Sequence, residues 1–162
     1  MAAPDRSIDR ESISRSEDHH ALRIWLRLLT CTQLIEKRVR AGLREQFATT
    51  LPRFDLMAQL ERHPGGLKMN ELSRMLMVTG GNVTAIVDQL EKEGLVERLD
   101  EPDDRRAFRI RLTRSGDKTF AEMARAHEQW VVELLGGLSR REHDELLKLL
   151  AKLKSHAVEV LS

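Results

Sequence analysis

Four consecutive charges, Asp103-Asp104-Arg105-Arg106, stand inside the stretch ERLDEPDDRRAFRIRLTRSG, between two segments of sheet-like alternation. A hairpin tip that met only water would be served by Gly, Asn or Asp. Guanidinium groups held there by neighbouring acids suit an anionic partner, and a narrow A·T-rich minor groove concentrates the negative potential that draws arginine in. Asp104 and Arg106 lie two residues apart, so the carboxylate can hold the guanidinium extended and leave Arg105 for phosphate. Arg74 and Arg114 are further candidate DNA-facing cations. In isolation DDRR reads as a solvated loop, so its meaning depends on what precedes it.

What precedes it is KMNELSRMLMVTGGNVTAIVDQLEKEGLV. Leu72, Met75 and Leu76 make one short apolar stripe; Val83, Ile86, Val87 and Leu90 make another. Two short helices across a glycine-containing turn form a helix-turn-helix. Thr79 suits the N-cap of the second helix and Gly94 its stop, whereas the first helix begins at Lys68 or Met69 with no side-chain acceptor. Residues 79–87, TGGNVTAIV, carry no charge, so no arginine is available there for guanine. Asn82 could read adenine, and Thr79 or Thr84 could touch phosphate or a thymine methyl. Gly80-Gly81 would let the helix N-terminus approach a phosphate closely.

The elements that must position these groups follow from periodicity. Leu22, Trp25, Leu28, Leu29, Thr32, Ile35, Val39, Leu43 and Phe47 keep helical spacing for about seven turns. Phe54, Met57, Ala58 and Leu60 predict a shorter helix, with Pro52 at its first position. Beyond Gly94 the period falls to two: Leu95, Val96 and Leu99 oppose Phe108, Ile110 and Leu112, and EPDDRR connects them as a two-stranded wing. Thr113 caps a fifth helix through Phe120, Met123, Trp130 and Leu134, and Ser139 with Glu142 forms the capping box of a sixth. The expected fold is mainly α with a small β-hairpin wing, a winged helix-turn-helix with a helical dimerisation region. Its parts are a disordered arm (1–20), a dimerisation helix (21–50), a winged helix-turn-helix DNA-binding lobe (51–115) and C-terminal dimerisation helices (116–162). The outer helices are too apolar to stand alone, which predicts a homodimer on a pseudo-palindromic double-stranded operator with half-sites ~34 Å apart.

Bulk properties narrow the field. The 162 residues carry 27 basic and 26 acidic side chains, a net charge of +1 that argues neither for nor against nucleic acid. Six of the bases (Arg23, Arg27, Lys37, Arg38, Arg40 and Arg44) crowd residues 21–46 against two acids. No run reaches the ~20 apolar residues of a membrane span, and the N-terminus is too acidic for a targeting signal, so a cytoplasmic chain is expected. The single Cys31 lies on or near the apolar stripe of the first helix and reads as a buried, inert thiol. The six histidines show no ligand spacing, and no GxSxG, GxGxxG, P-loop or HExxH occurs, so neither metal, cofactor nor enzymatic activity is expected.

The stretch LSRMLMVTGGNVTAIVDQLEKEGLVERLDEPDDRRAFRIRLTRSG, with its LEKEGLV exit, the D-x-R of the wing and the LTRSG start of the fifth helix, resembles the MarR family of bacterial winged-helix regulators. The resemblance runs over about residues 21–161. It implies that the helix beginning near Thr79 enters the major groove, the wing arginine enters the minor groove, and a small ligand releases the DNA. The charge-free start of the recognition helix departs from many relatives. Family members commonly take aromatic acids between the first, second and fifth helices, a region that here would be bounded by Trp25, Leu28, Leu29, Thr32, Phe54 and Met57. Arg23 with Arg27, and Arg40 with Arg44, each four apart, would suit a polyanion better than one carboxylate. The stretch ALRIWLRLLTCTQLIEKRVR is also similar to the branch that answers to hydroxycinnamoyl-CoA or other aryl-CoA esters. The resemblance thus implies a repressor of aromatic-acid catabolism released by an aryl-CoA; a sensor of free aromatic acids or phenolics, or a constitutive architectural DNA binder, are the alternatives.

Overall fold

The computed structural model describes residues 19–76, 80–101 and 104–162, with 80, 81 and 104–106 described as backbone. The order is α1 (His20–Phe47), α2 (Leu51–Glu61), β1 (Leu67–Lys68), α3 (Met69–Leu76), α4 (Gly80–Lys92), β2 (Val96–Glu101), β3 (Asp104–Leu112), α5 (Arg114–Leu135) and α6 (Arg140–Leu161). Helices with a small sheet make up the fold, as the periodicities predict. The sheet has three antiparallel strands rather than two, ordered β1-β3-β2, with Leu67 opposite Ile110 and Lys68 opposite Arg109. A two-residue strand shows no period, so its pattern could not announce it. Gly66 (φ 82°) turns the chain into β1, and a Cβ there would stand 2.9 Å from the Ile110 carbonyl oxygen.

Local chemistry sets the ends of these elements. The Lys68 N–H donates to Glu71 Oε2 at 2.7 Å, so α3 is capped from its third residue and needs no acceptor at Lys68. Thr113 Oγ1 accepts from the Gly116 N–H at 3.0 Å and donates to the Gly94 carbonyl at 2.6 Å, fastening the start of α5 to the end of α4. Ser139 and Glu142 form the expected capping box, and its hydrogen bonds hold the Glu142 carboxyl below its ordinary value. α2 opens at Leu51, one residue before Pro52.

The core joins α1–α5 and the sheet. Leu43, Leu56, Met57, Leu60, Leu72, Val83, Val87, Leu90, Val96 and Ile110 are its most buried members. Phe120 and Met123 bring the first half of α5 into the same cluster, so α5 serves both the winged-helix lobe and the outer helices. Along α1 only Val39, Gly42 and Leu43 are buried. Gly42 is where α1 crosses α5: a Cβ there would lie 2.5 Å from the ring of buried Trp130. Arg38 stacks 5.0 Å above the same ring and approaches Glu133 at 3.9 Å. Residue 38 is level with 133 and residue 42 with 130, so α1 and α5 run antiparallel and residues 20–34 extend past the end of α5. α6 buries no residue at all; Leu147, Val160 and Leu161 are 67%, 69% and 86% exposed.

The crossing yields a stability test. Gly42→Ala is expected to cost roughly 1–3 kcal/mol in urea unfolding at fixed protein concentration, because the methyl must displace an indole in a packed core. Gly42→Ala combined with Trp130→Phe should recover part of that loss. An unchanged midpoint for Gly42→Ala would contradict the close approach.

Candidate nucleic-acid interface

α4 is anchored by one face. Val83, Ile86, Val87 and Leu90 are buried, and the other face carries Asn82, Thr84, Ala85 and Gln89 to solvent. Its acidic groups are committed elsewhere. Arg98 on β2 bonds Asp88 and lies 3.5 Å from Glu91, while its guanidinium sits 5.0 Å over the Phe108 ring. Glu93, just beyond the helix, accepts from Arg53 of α2, whose side chain is 15% exposed. These pairs fix α4 against α2 and the wing. Glu91 and Glu93 thus tie α4 and the turn after it to neighbouring elements.

The wing shows the same economy of charge. Arg111 Nε bonds Glu97 Oε1 at 2.6 Å across the ladder, and Arg109 bonds Glu101 and, at 3.2 Å, the Gly66 carbonyl. The β2–β3 register steps from Asp100 opposite Phe108 to Glu101 opposite Asp104, so residues 105–107 form a bulge. Asp104, Arg105 and Arg106 therefore belong to β3 and not to a long connecting loop; a bulge re-aims the side chains of the strand it interrupts. Only Pro102-Asp103 remains between the strands, and it lies outside the described residues, as does Thr79. Gly80 and Gly81 form the first turn of α4. Arg74 is exposed on α3, with Nε 3.4 Å from its own helix's Asn70 carbonyl. Arg114 opens α5 beside a groove of about 400 Å³ that Glu61, Glu97, Arg111 and Asp117 also line, so carboxylates surround it. Gln89 was missed by sequence reasoning; its signal was the i+7 spacing from Asn82 on the face opposite the apolar stripe.

This geometry has counterparts. The MarR family's sequence model matches residues 49–108. The HTH-type transcriptional regulator YkoM of Bacillus subtilis, described as uncharacterized, is 31% identical over 97 residues, 60% of this chain and 63% of its own length. The chain thus spans less than two thirds of that relative. Escherichia coli MarR in its apo form, 24% identical, shares the fold with a TM-score of 0.70 over 78% of this chain and 93% of its own. The crystal structure of a MarR family transcriptional regulator from Silicibacter pomeroyi is 31% identical, with a TM-score of 0.72 over 89% of this chain and 99% of its own. The chain belongs to the MarR family. Membership sets it among transcriptional regulators rather than enzymes. No described helix is long and apolar enough to cross a membrane. No group of three or more His, Cys, Asp or Glu among the described residues could hold a metal ion.

The residues proposed to bound a MarR effector pocket do not come together within one chain. Phe54 and Met57 are core residues, 7% and 1% exposed, and the Phe54 ring packs 5.4 Å from Phe120 and 5.0 Å from His127. Trp25 is 56% exposed on the part of α1 that runs past α5, with Leu28 and Leu29 half-buried beside it. Thr32 spends its hydroxyl on the Leu28 carbonyl at 2.9 Å. Asp55, next to Phe54, interacts with Glu36 of α1, and residues 25 and 36 are ~16 Å apart along that helix. Arg40 pairs with Glu36 at 3.4 Å and Arg44 is exposed, whereas Arg23 and Arg27 line a depression of about 120 Å³ with His20 and Ile24. Cys31 is exposed in the chain rather than buried.

One polar cluster had no sequence signal. Asp55 of α2 is half-buried where α1 and α5 meet; burial pushes its carboxyl above the ordinary value of 3.8, Arg40 and His127 pull it down, and Glu36 adds to the rise. Between 3.8 and the raised folded value the native state holds more protons than the unfolded one, so stability falls as pH rises through that window. Asp55→Asn should therefore melt above the wild type at neutral pH, with the advantage shrinking as pH drops below the ordinary carboxylate value. A lower melting temperature for Asp55→Asn at neutral pH would mean that the Arg40 and His127 attractions outweigh burial.

Proposed function

We propose that the chain is a transcriptional repressor that binds a pseudo-palindromic double-stranded operator as a homodimer and releases it when an aryl-CoA thioester binds. The observation that carries the DNA reading is an exposed α4 face that bears no unpaired charge before Lys92, in the same lobe as a bulged strand that carries Arg105 and Arg106. In this reading α4 enters the major groove, Arg106 enters the adjacent minor groove, and Arg105 meets phosphate. The homodimer is supported by the apolar surface that the first half of α1 and all of α6 leave uncovered, Leu146, Leu150 and Leu153 among it.

The effector half of the proposal is supported by different residues. Arg23 and Arg27 frame a small depression beside exposed Ile24 and Trp25, which pairs cationic donors with an apolar, flat surface. Phosphates of a CoA ester suit the former and an aryl group the latter. Phe54 and Met57 drop out of this site.

Gel shifts with an operator test both halves. Arg106→Ala should weaken binding by roughly 1–3 kcal/mol and relax the preference at an A·T-rich flank. An Arg106→Ala protein that shifts DNA like wild type at several salt concentrations would reduce the wing to a solvated hairpin. Titration of the complex with p-coumaroyl-CoA or benzoyl-CoA should release DNA where p-coumarate and salicylate do not. Release by the free acids alone would reject the thioester and leave a sensor of aromatic acids.

A further inference from the structure

On the reading that α4 lies in the major groove, its outward face says which bases it can accept. Asn82, Ala85 and Gln89 follow the i, i+3, i+7 spacing of one helical face and are exposed. Asp88 and Glu91 are bound to Arg98, and Glu93 to Arg53. Before Lys92 at its far end, and with Thr84 at its flank, the face presents two primary amides around one methyl group.

Each base pair shows its own pattern in the major groove. Guanine presents two acceptors, N7 and O6, and is met best by arginine or lysine. Residues 80–91 contain neither, and Lys92 stands at the far end of α4. Cytosine presents an amino donor that suits a carboxylate, and the carboxylates here are tied to arginines. Adenine presents an amino donor beside the N7 acceptor, which a primary amide matches with its carbonyl and its NH2 together. The thymine C5-methyl is matched by an apolar side chain as small as alanine.

We infer that Asn82 and Gln89 each read an adenine and that Ala85 packs on a thymine methyl between them, so each half-site is A·T at these positions. Seven residues along a helix separate the two amides by ~10.5 Å. At 3.4 Å per step that is about three base steps. The half-site therefore holds two A·T pairs about three steps apart with a third between them. Discrimination comes from these amides, since a G·C pair would leave their donor and acceptor mismatched in a desolvated groove. Asn82, the shorter amide, sits nearer the helix N-terminus, the end that approaches the bases most closely.

Selection of duplexes from a random pool, followed by affinity measurements on the selected site, tests this. The wild-type consensus should contain the spaced A·T pairs in both half-sites, and replacing either outer pair by G·C should weaken binding roughly 5- to 100-fold. Asn82→Ala should abolish the preference at one of the two positions and Gln89→Ala at the other, with each variant's thermal melt reporting that the fold is kept. A G·C consensus at these positions, or Ala variants that keep the wild-type preference, would overturn the amide reading while leaving operator binding intact. Failure of the wild type to enrich any duplex would overturn operator binding itself, and the base reading with it.

Discussion

A helix of 22 residues with no buried side chain has little to hold it in water. Helical stability in proteins comes mostly from tertiary packing of an apolar face, because nucleation costs several backbone dihedrals before the first hydrogen bond repays them. α6 places Leu146, Leu149, Leu150 and Leu153 in solvent, and the first half of α1 does the same with Leu22, Ile24 and Trp25. Apolar burial stabilises by roughly 25 cal/mol per Å², so covering these faces is the largest stabilising term still open to the chain. A second copy carries the complementary helices by construction, and a two-fold arrangement lets each copy cover the other. The winged-helix core is already buried within one chain; the outer helices depend on such cover, and in the proposed homodimer so does the spacing of the two lobes through α1 and α5.

Charge is distributed with a corresponding restraint. Arg98, Arg109 and Arg111 answer acids of their own lobe, and Arg53 answers Glu93. If the lobe binds DNA as proposed, these four cations contribute little to counterion release, and the cations outside these pairs must supply it. The same pairs link the elements of the lobe to one another. α4 is held to β2 through Arg98 and to α2 through Arg53, while α1 is held to α5 through Gly42, Trp130 and Arg38. Asp55, flanked by Arg40, Glu36 and His127, stands where these two groups of elements meet.

The long periodic elements were legible in the sequence because period carries their signal. The stripe from Leu22 to Phe47 is α1, the alternation from Phe108 to Leu112 is β3, and Ser139 with Glu142 is the cap of α6. Leu67-Lys68 was not legible as a strand, since two residues have no period and their pairing is fixed by Ile110 and Arg109, more than forty residues on. The start of α3 looked uncapped because its acceptor, Glu71, reaches back from inside the helix. Of the candidate interface, the charge-free start of α4 could be read directly, but which of its residues face outward became plain only when Val83, Ile86, Val87 and Leu90 were seen to hold the core. Phe54 and Met57 are core residues in this chain, and apolar side chains at helical spacing read alike whether they line a cavity or fill one. The ring neighbours of Phe54, Phe120 and His127, lie far along the chain.

The pairing of two chains through their outer helices is the claim on which the rest converges, and sedimentation equilibrium at low micromolar concentration, with and without an operator duplex, tests it most directly. A species of twice 18.6 kDa is expected in the absence of DNA, and two chains on each duplex in its presence. A fully helical monomer of 18.6 kDa that binds the duplex singly would contradict it.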